Sequence, residues 1–158
     1  MSASRPVPCE DLGAPTRLIL ESYLRWFGRD LVAPDVSAPA VEALFEAPFV
    51  VLASRGRPGT DHIFTYANRS ALKLFEASWD QIVGMPSSRS AEAGQRGERR
   101  RLLDEVDRRG FITDYSGIRI SLTGRRFRIL RATVFNLLDA SDNYAGQAAT
   151  FSDWEPVS

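Results

Sequence analysis

Two arginines in the C-terminal third of the chain, Arg119 and Arg128, have side chains suited to binding an anionic ligand. They fall in two successive predicted β-strands, which places them on neighbouring strands of one sheet. Tyr115, Tyr66 and Gln147 are predicted to lie near them. Because a guanidinium group can bind a carboxylate through two parallel hydrogen bonds, this cluster could hold a carboxylate or another planar polar ligand.

A second interpretation of these residues needs no ligand. An unpaired internal charge costs several kcal/mol, so buried arginines must be paired. The two arginines would then pair with Asp114, Asp139 or Glu76, or reach solvent at exposed strand edges. Asn68 also has two interpretations, because it directly precedes a predicted helix. Its side chain either caps that helix or contacts the ligand.

The sequence contains few groups that could act in catalysis. His62 is the only histidine, and it lies beside a turn at the start of a strand, which is more typical of a surface or packing residue than of a base. Cys9 is the only cysteine, which excludes an intrachain disulfide and a multi-thiolate metal site. We therefore expect no enzymatic activity and no metal centre. The alternative, a small-molecule-processing enzyme, would need His62 as its base.

The segment 96–109 contains six arginines and four acidic residues. Arg100 and Asp104 are four residues apart, as are Glu105 and Arg109, which is the spacing of ion pairs on a solvated helix face. The same arginines could contact nucleic acid. However, the chain has 20 basic and 20 acidic residues and a formal net charge of zero, which argues against a nucleic-acid partner.

Apolar spacing divides the 158 residues into three parts. Residues 1–15 are predicted to be a flexible tail, 16–43 an N-terminal helical segment, and 44–154 a folded domain. The first helix is predicted over 16–32, with Thr16 as its N-cap. No apolar stretch approaches the roughly 20 residues that a membrane span needs, so we expect no membrane association and a cytoplasmic protein.

The elements of the folded domain follow from turn and capping residues. A β-hairpin is predicted over 48–67, and short helices begin after Asn68 and Ser78. A second hairpin turns at Thr123–Gly124, and Asp153 closes the last strand. Five antiparallel strands, with helices inserted between the second and third and a helix at the N-terminus, make an α+β fold.

Alternation along the last strands predicts which side chains share a face. Tyr115 and Arg119 fall on one face of their strand. In the next strand Phe127, Ile129 and Phe135 are predicted to share one face, while the other face is also largely apolar. A sheet buried on both sides is implied, with helices on one face and the N-terminal helix or a second subunit on the other.

The series "PFVVLAS", "IFTYANRSALKLFE", "IVGMP" and "GRRFRILRATVFNLLDASDNYAGQAATFSD" resembles a PAS domain over residues 44–154. The residues that carry the resemblance are Asn68, Gly84, Gly124, Gly146 and Asp153. Within that superfamily the sequence is most similar to the MEKHLA group, through "YANRSALKLFE", "GMPSSRSAE", "DYSGIRISLTGRRFRI" and "ATVFNLLD". The bacterial members of that group are short stand-alone proteins with an N-terminal helical segment.

The resemblance also allows the cofactors of PAS domains to be compared with this sequence. Flavin-thiol photosensors resemble one another through a cysteine in the motif GRNCRFLQ, where this chain reads "GMPSSRSAE". Haem-binding PAS proteins use a histidine on the long helix, and residues 96–110 contain none. The cinnamoyl chromophore needs a cysteine inside the fold, whereas Cys9 precedes it. We expect no covalent flavin and no haem, while non-covalent flavin stays open and the cofactor unknown.

The resemblance implies a non-catalytic sensor or signalling module that binds a small molecule or a protein partner. The N-terminal helix is more apolar than one covered face requires, which predicts a homodimer. Its candidate interface residues are Leu20, Leu24, Trp26 and Phe27. The alternative is a PAS-like dimerisation or scaffold domain with a filled core and no ligand.

Overall fold

The computed structural model describes residues 12–33 and 39–157. The predicted tail up to residue 11, with Cys9, lies outside the described residues. In chain order the described elements are α1 (Gly13–Phe27), α2 (Ala40–Phe45), β1 (Val50–Arg55), β2 (Ile63–Ala67), α3 (Arg69–Phe75), α4 (Trp79–Ile82), two 3-10 turns (Ser87–Ser90 and Ala93–Gln95), α5 (Arg96–Arg109), β3 (Phe111–Ile120), β4 (Arg126–Leu138), β5 (Tyr144–Phe151) and β6 (Asp153–Pro156).

The strands form a sheet with the order β2-β1-β5-β4-β3, in which all neighbours are antiparallel. The β1–β2 and β3–β4 hairpins confirm the two predicted hairpins. Helices α3, α4 and α5 lie between β2 and β3 in the chain, so the predicted α+β order is confirmed. We call the face of the sheet towards α3 and α5 the inner face, and the face towards α1 the outer face.

The sheet contains one strand more than predicted. Asp153, expected to close the last strand, instead opens β6 after a bend at Ser152. β5 pairs with β4 over residues 133–138 and β6 pairs with it over 127–130. β3 pairs with the other edge of β4 over residues 126–135. β5 and β6 therefore lie end to end on the same edge of β4.

Capping residues set the starts of α3 and α4 where the sequence predicted them. The Asn68 side chain accepts a hydrogen bond from the backbone amide of Ala71. Ser78 and Gln81 form a reciprocal capping box at the start of α4. Both helices are short, so these caps and the burial of their apolar faces hold them in place.

The boundaries of α1 differ from the prediction of 16–32. Leu12 is the N-cap residue, and Thr16, predicted for that role, is buried one turn inside the helix. Pro15 is tolerated in the first turn because the amide it lacks would have no helical partner there. The helix ends at Gly28, whose φ of 70° is left-handed and therefore suits glycine.

Two bulges interrupt the alternation of side chains in β3 and β4. Asp114 and Arg131 both have left-handed backbones, with φ of 61° and 53°. Between Ile112 and Tyr115, β3 has one residue more than the opposite stretch of β4, and β4 has the extra residue in the next interval. Each extra residue moves the side chains that follow it to the opposite face of the sheet.

The bulge at Arg131 corrects the predicted alternation of β4. Phe127 packs against Phe75 of α3 on the inner face, with ring centres 5.2 Å apart. Phe135 packs against Tyr23 of α1 on the outer face at 5.5 Å. The two phenylalanines were predicted to share a face, and the extra residue between them explains why they do not.

An aromatic cluster joins α1 to the outer face. The Phe27 and Phe111 rings meet edge to face, with centres 4.7 Å apart, and the Trp26 ring lies 5.7 Å from Phe111. The Trp26 indole Nε1 also donates to the backbone carbonyl of Asn136 at 2.9 Å. The N-terminal helix therefore covers the outer face, as one of the two predicted arrangements required.

Candidate functional site

A cavity of about 80 Å³ lies between the inner face of the sheet and α5. Much of its wall is apolar and includes Leu52, Phe75 and Ile129. The polar residues that line it are Ser54, Ser87, Ser90, Arg99, Tyr115, Arg119 and Gln147. A mixed lining of this kind, with apolar walls and few polar groups, is typical of small-molecule sites.

Arg119 reaches the cavity from β3 and is 7% exposed. Its Nη2 donates to the Tyr115 hydroxyl at 3.0 Å, and its Nη1 donates to the carbonyl of Ile118 at 2.8 Å. The guanidinium carbon also lies 5.6 Å from the centre of the Tyr115 ring. The tyrosine can lie along the strand because Gly117 has no side chain: a Cβ there would sit 2.0 Å from the Tyr115 hydroxyl oxygen.

Arg99 reaches the same cavity from α5 and is 8% exposed. Its Nη2 donates to the Ser87 hydroxyl at 2.8 Å, which ties the first 3-10 turn to the helix. Burial and the nearby positive charge of Arg119 lower the pKa of the Arg99 guanidinium to about 10. The cavity therefore holds two positive charges close enough to repel each other.

Neither Arg99 nor Arg119 has a carboxylate oxygen within 4.0 Å among the described residues. The ion pairs of the other arginines lie elsewhere, for example Arg69 with Glu46 at 2.6 Å on the surface. Buried guanidinium groups usually have an anionic partner, because desolvation of the charge is otherwise uncompensated. The cavity thus has the electrostatic character of an anion site.

The only histidine of the sequence is buried next to this cavity. His62 Nδ1 lies 3.1 Å from the Ser54 hydroxyl, and Nε2 lies 3.1 Å from the carbonyl oxygen of Arg57. Because a carbonyl only accepts, Nε2 carries the proton, and Nδ1 accepts from Ser54. His62 is therefore a hydrogen-bonded packing residue, one of the two roles predicted for it.

The hydrogen-bond network continues from His62 to α5. The Tyr144 hydroxyl lies 3.3 Å from His62 Nε2 and donates to Asp107 Oδ1 at 2.7 Å. Gln147 Nε2 donates to the same Asp107 oxygen at 2.8 Å and to the Leu103 carbonyl at 3.2 Å. Burial, followed by the bond to Asp107, raises the pKa of the Tyr144 hydroxyl. Strands β1 and β5 are thereby joined to the helix that carries Arg99.

The burial of His62 predicts that stability falls in mild acid. Desolvation lowers the pKa of His62 below its usual value of about 6.5, so the unfolded chain binds a proton more readily than the folded chain. The free energy of unfolding should therefore begin to fall at about pH 7.5 and continue to fall below about pH 6.5, until the pH passes below the lowered pKa of His62 in the folded chain. Urea denaturation across this range should show that slope in the wild type and lose it in His62→Gln.

The carboxylates whose pKa values the fold lowers do not contribute to this change of stability with pH. Glu46, Glu76 and Asp139 have lowered pKa values, so their contributions to stability are lost at more acidic pH than that of His62. An equal slope in wild type and His62→Gln would show that the histidine is not kept neutral by the fold.

Three of the six predicted ligand-binding residues line the cavity. Tyr115 and Arg119 lie on one face of β3, and Gln147 lines the same cavity from β5. All three line one cavity that α5 closes on the other side, and Arg128 is not among the lining residues.

The other three predicted residues lie away from the cavity. Arg128 is on the surface, with its Nε 3.6 Å from Glu155 Oε1. Asn68 is fully buried and bonded to backbone groups, and Tyr66 is fully buried against Trp79, with ring centres 5.8 Å apart. In the described residues, the Tyr66 hydroxyl has no hydrogen-bond partner.

Arg99 is the residue of the cavity that the sequence interpretation missed. Its neighbours confirm the predicted surface pairs, since Arg100 bonds Asp104 at 3.1 Å and Arg109 bonds Glu105 at 2.7 Å. However, Arg99 precedes Leu102, Leu103 and Val106 by three, four and seven residues. That spacing places it on the buried face of α5, and it is the signal that could have identified the residue.

No group of three or more histidine, cysteine or acidic residues that could hold a metal ion is found in residues 12–33 and 39–157. The same described residues contain no helix with the length and apolar character that a membrane crossing demands.

Similarity to solved structures shows the fold class of the protein. The PAS domain of a protein from Colwellia psychrerythraea, 12% identical, matches with a TM-score of 0.63 over 78% of this chain and 98% of that chain. The PAS domain of a LuxR-family transcriptional regulator from Burkholderia thailandensis, solved in complex with ethanol, is 18% identical with a TM-score of 0.54, again over 78% and 98%. The light-state dimer of the fungal blue-light photoreceptor Vivid is 11% identical, with a TM-score of 0.58 over 94% and 98%.

These matches show that the chain has a PAS-like fold. The model of the MEKHLA domain family matches residues 14–156. The chain therefore belongs to the MEKHLA domain family, as the sequence motifs indicated. No curated protein sequence is significantly similar to it.

Proposed function

We propose that the protein is a non-catalytic sensor module that binds a small molecule in the cavity between the sheet and α5. The observation that carries this proposal is a cavity whose apolar walls also contain two buried arginines, Arg99 and Arg119. The PAS-like fold supports it, as does the ethanol complex of the PAS domain from Burkholderia thailandensis.

Helix α5 offers a physical route from the cavity to α1. Its first turns carry Arg99, and its C-terminal end meets Trp26 at Gly110, where a Cβ would lie 2.4 Å from the indole ring. Asn136 joins the same two helices, because its carbonyl accepts from Trp26 and its Nδ2 donates to the Val106 carbonyl at 3.0 Å. A ligand that favours one position of α5 would therefore alter how α1 packs on the sheet. This requires that the ligand bind the two arrangements of α5 with different affinities.

We infer that the signal leaves through α1, either to a homodimer partner or to another protein. Of the four predicted interface residues, Leu20, Trp26 and Phe27 pack at least in part against the chain's own core. Leu24 is 44% exposed and is the residue of that set best placed for an intermolecular contact. The dimer formed by Vivid in its light state is a structural precedent for dimerisation of a PAS-like fold.

Native mass spectrometry of freshly purified protein, compared with its denatured mass, tests the proposed function. We expect a reproducible excess mass per chain that is lost on unfolding. A bare chain mass, combined with no binding in a screen of small molecules, would contradict the proposal. That result would favour the alternative of a scaffold domain without a ligand.

A further inference from the structure

We propose that the ligand is a small carboxylate, held by Arg99 and Arg119 at the polar end of the cavity with its apolar part against the sheet. This inference rests on the proposed function and specifies the chemistry of its ligand. Arg99 comes from α5 and Arg119 from β3, so the ligand would join the two elements that enclose the cavity.

The charges of the cavity favour an anion over a neutral ligand. Both guanidinium groups are more than nine-tenths buried, and their hydrogen-bond partners in the described residues are neutral: two hydroxyls and one carbonyl. The negative charge of Asp61 acts on Arg99 only from beyond the 4.0 Å of an ion pair. Neutral partners offset only part of the desolvation of a charge, and the two positive groups also repel each other. A bound carboxylate would compensate both effects.

The donors of the two arginines are sufficient for such a ligand. A guanidinium group has five N–H donors, and the bonds found for Arg99 use one of them and those for Arg119 two. A carboxylate has two oxygens with about four acceptor positions. The Tyr115 hydroxyl accepts from Arg119, which leaves its own proton available for a ligand oxygen.

The size and the lining of the cavity limit the part of the ligand beyond its carboxylate. The volume of about 80 Å³ is roughly half that of an engineered cavity of about 150 Å³ that binds benzene. Beyond the arginines the walls are formed by side chains such as Phe64, Phe75 and Ile129. A short aliphatic acid fits this division better than inorganic phosphate, which has an acceptor oxygen at every corner and no apolar part.

Isothermal titration calorimetry of the full chain tests the inference. The probes are straight-chain monocarboxylates from acetate to hexanoate, the primary amides of the same chain lengths, and inorganic phosphate. The variants are Arg99→Gln and Arg119→Gln, which act on different elements. Arg128→Gln removes the same charge from the surface, where the structure pairs it with Glu155, and is the matched control.

We expect a carboxylate of this series to bind wild type and Arg128→Gln with the same Kd, and to bind each cavity variant at least tenfold more weakly. Circular dichroism shows whether each variant is folded. If one cavity variant is unfolded, the other provides the test. An amide that binds as well as its acid, or a carboxylate whose Kd is unchanged in both cavity variants, would overturn the inference while leaving the proposed function intact. Preference for phosphate over every carboxylate would overturn it in the same way.

Failure of the proposed function would look different. If purified protein retained no mass and bound no compound of any charge, both proposals would be wrong. A neutral ligand identified in the native mass spectrum would support the sensor function and refute only the carboxylate.

Discussion

Replacing Gly146 with alanine is expected to destabilise the protein by about 3 kcal/mol or more. Gly146 lies in β5 with φ of 149°, and an ideal Cβ there would be 2.0 Å from the carbonyl oxygen of Ser54 in the paired strand β1. The obstacle is backbone in the centre of the sheet, so neither strand can move aside without breaking its hydrogen bonds. The loss should appear as a lower urea midpoint with an unchanged m-value.

Gly97→Ala provides the matched control. This glycine is in α5, and nothing lies within 4 Å of the position its Cβ would take. Because alanine has the higher helix propensity, the exchange should stabilise the protein by about 0.5–1 kcal/mol. A loss below about 1 kcal/mol in Gly146→Ala would show that β1 and β5 separate more easily than the structure implies.

The second large effect is expected for Asn68→Ala, which should lower the free energy of unfolding by about 3–5 kcal/mol. Asn68 Oδ1 accepts from the amides of Val51 and Ala71 at 3.0 and 3.1 Å. Its Nδ2 donates to the carbonyls of Leu44 and Phe49 at 3.2 and 2.8 Å. The side chain thus joins α2, β1 and α3, and its removal leaves several buried backbone groups without partners.

Asn68→Asp separates this joining role from simple capping. At a helix N-cap alone aspartate is about as good as asparagine, but here it would place a carboxylate against two carbonyl oxygens. Urea denaturation should therefore show a large loss for Asn68→Asp as well. Ser78→Ala, which removes an exposed cap, should cost only about 1 kcal/mol. If Asn68→Asp were as stable as the wild type, the bonds to Leu44 and Phe49 would contribute little.

The parts of the fold that depend on local signals could be predicted from the sequence. Asn68 and Ser78 mark helix starts because a side chain that caps a helix acts within three residues of itself. The turn at Thr123–Gly124 is similarly local. The order of the strands in the sheet is not local, since alternation within single strands does not say which strands pair.

The parts that could not be predicted depend on contacts distant in sequence. The bulges at Asp114 and Arg131 arise from residues that give no glycine-like turn signal, and the one at Arg131 reversed the assignment of Phe127 relative to Phe135. The predicted ligand-binding set was drawn from the strands and Asn68, and it contained no residue of α5. Arg99 was missed because its neighbours have the i,i+4 spacing of surface ion pairs, although its own spacing to Leu102 and Val106 is that of a buried stripe.

The bulge at Arg131 also determines which side chains of β4 line the cavity and which pack against α1. Ahead of Arg131, β4 lines the cavity with Ile129, and beyond it with Ala132 and Val134, while Phe135 on the outer face packs against α1. Substitutions at Ile129 change the lining of the cavity and leave the contacts of α1 with the sheet unchanged. Substitutions at Phe135 change those contacts and leave the lining at Ile129 unchanged. Side chains on the two faces of β4 can therefore vary independently, so the lining of the cavity can change without a change in the contacts that hold α1.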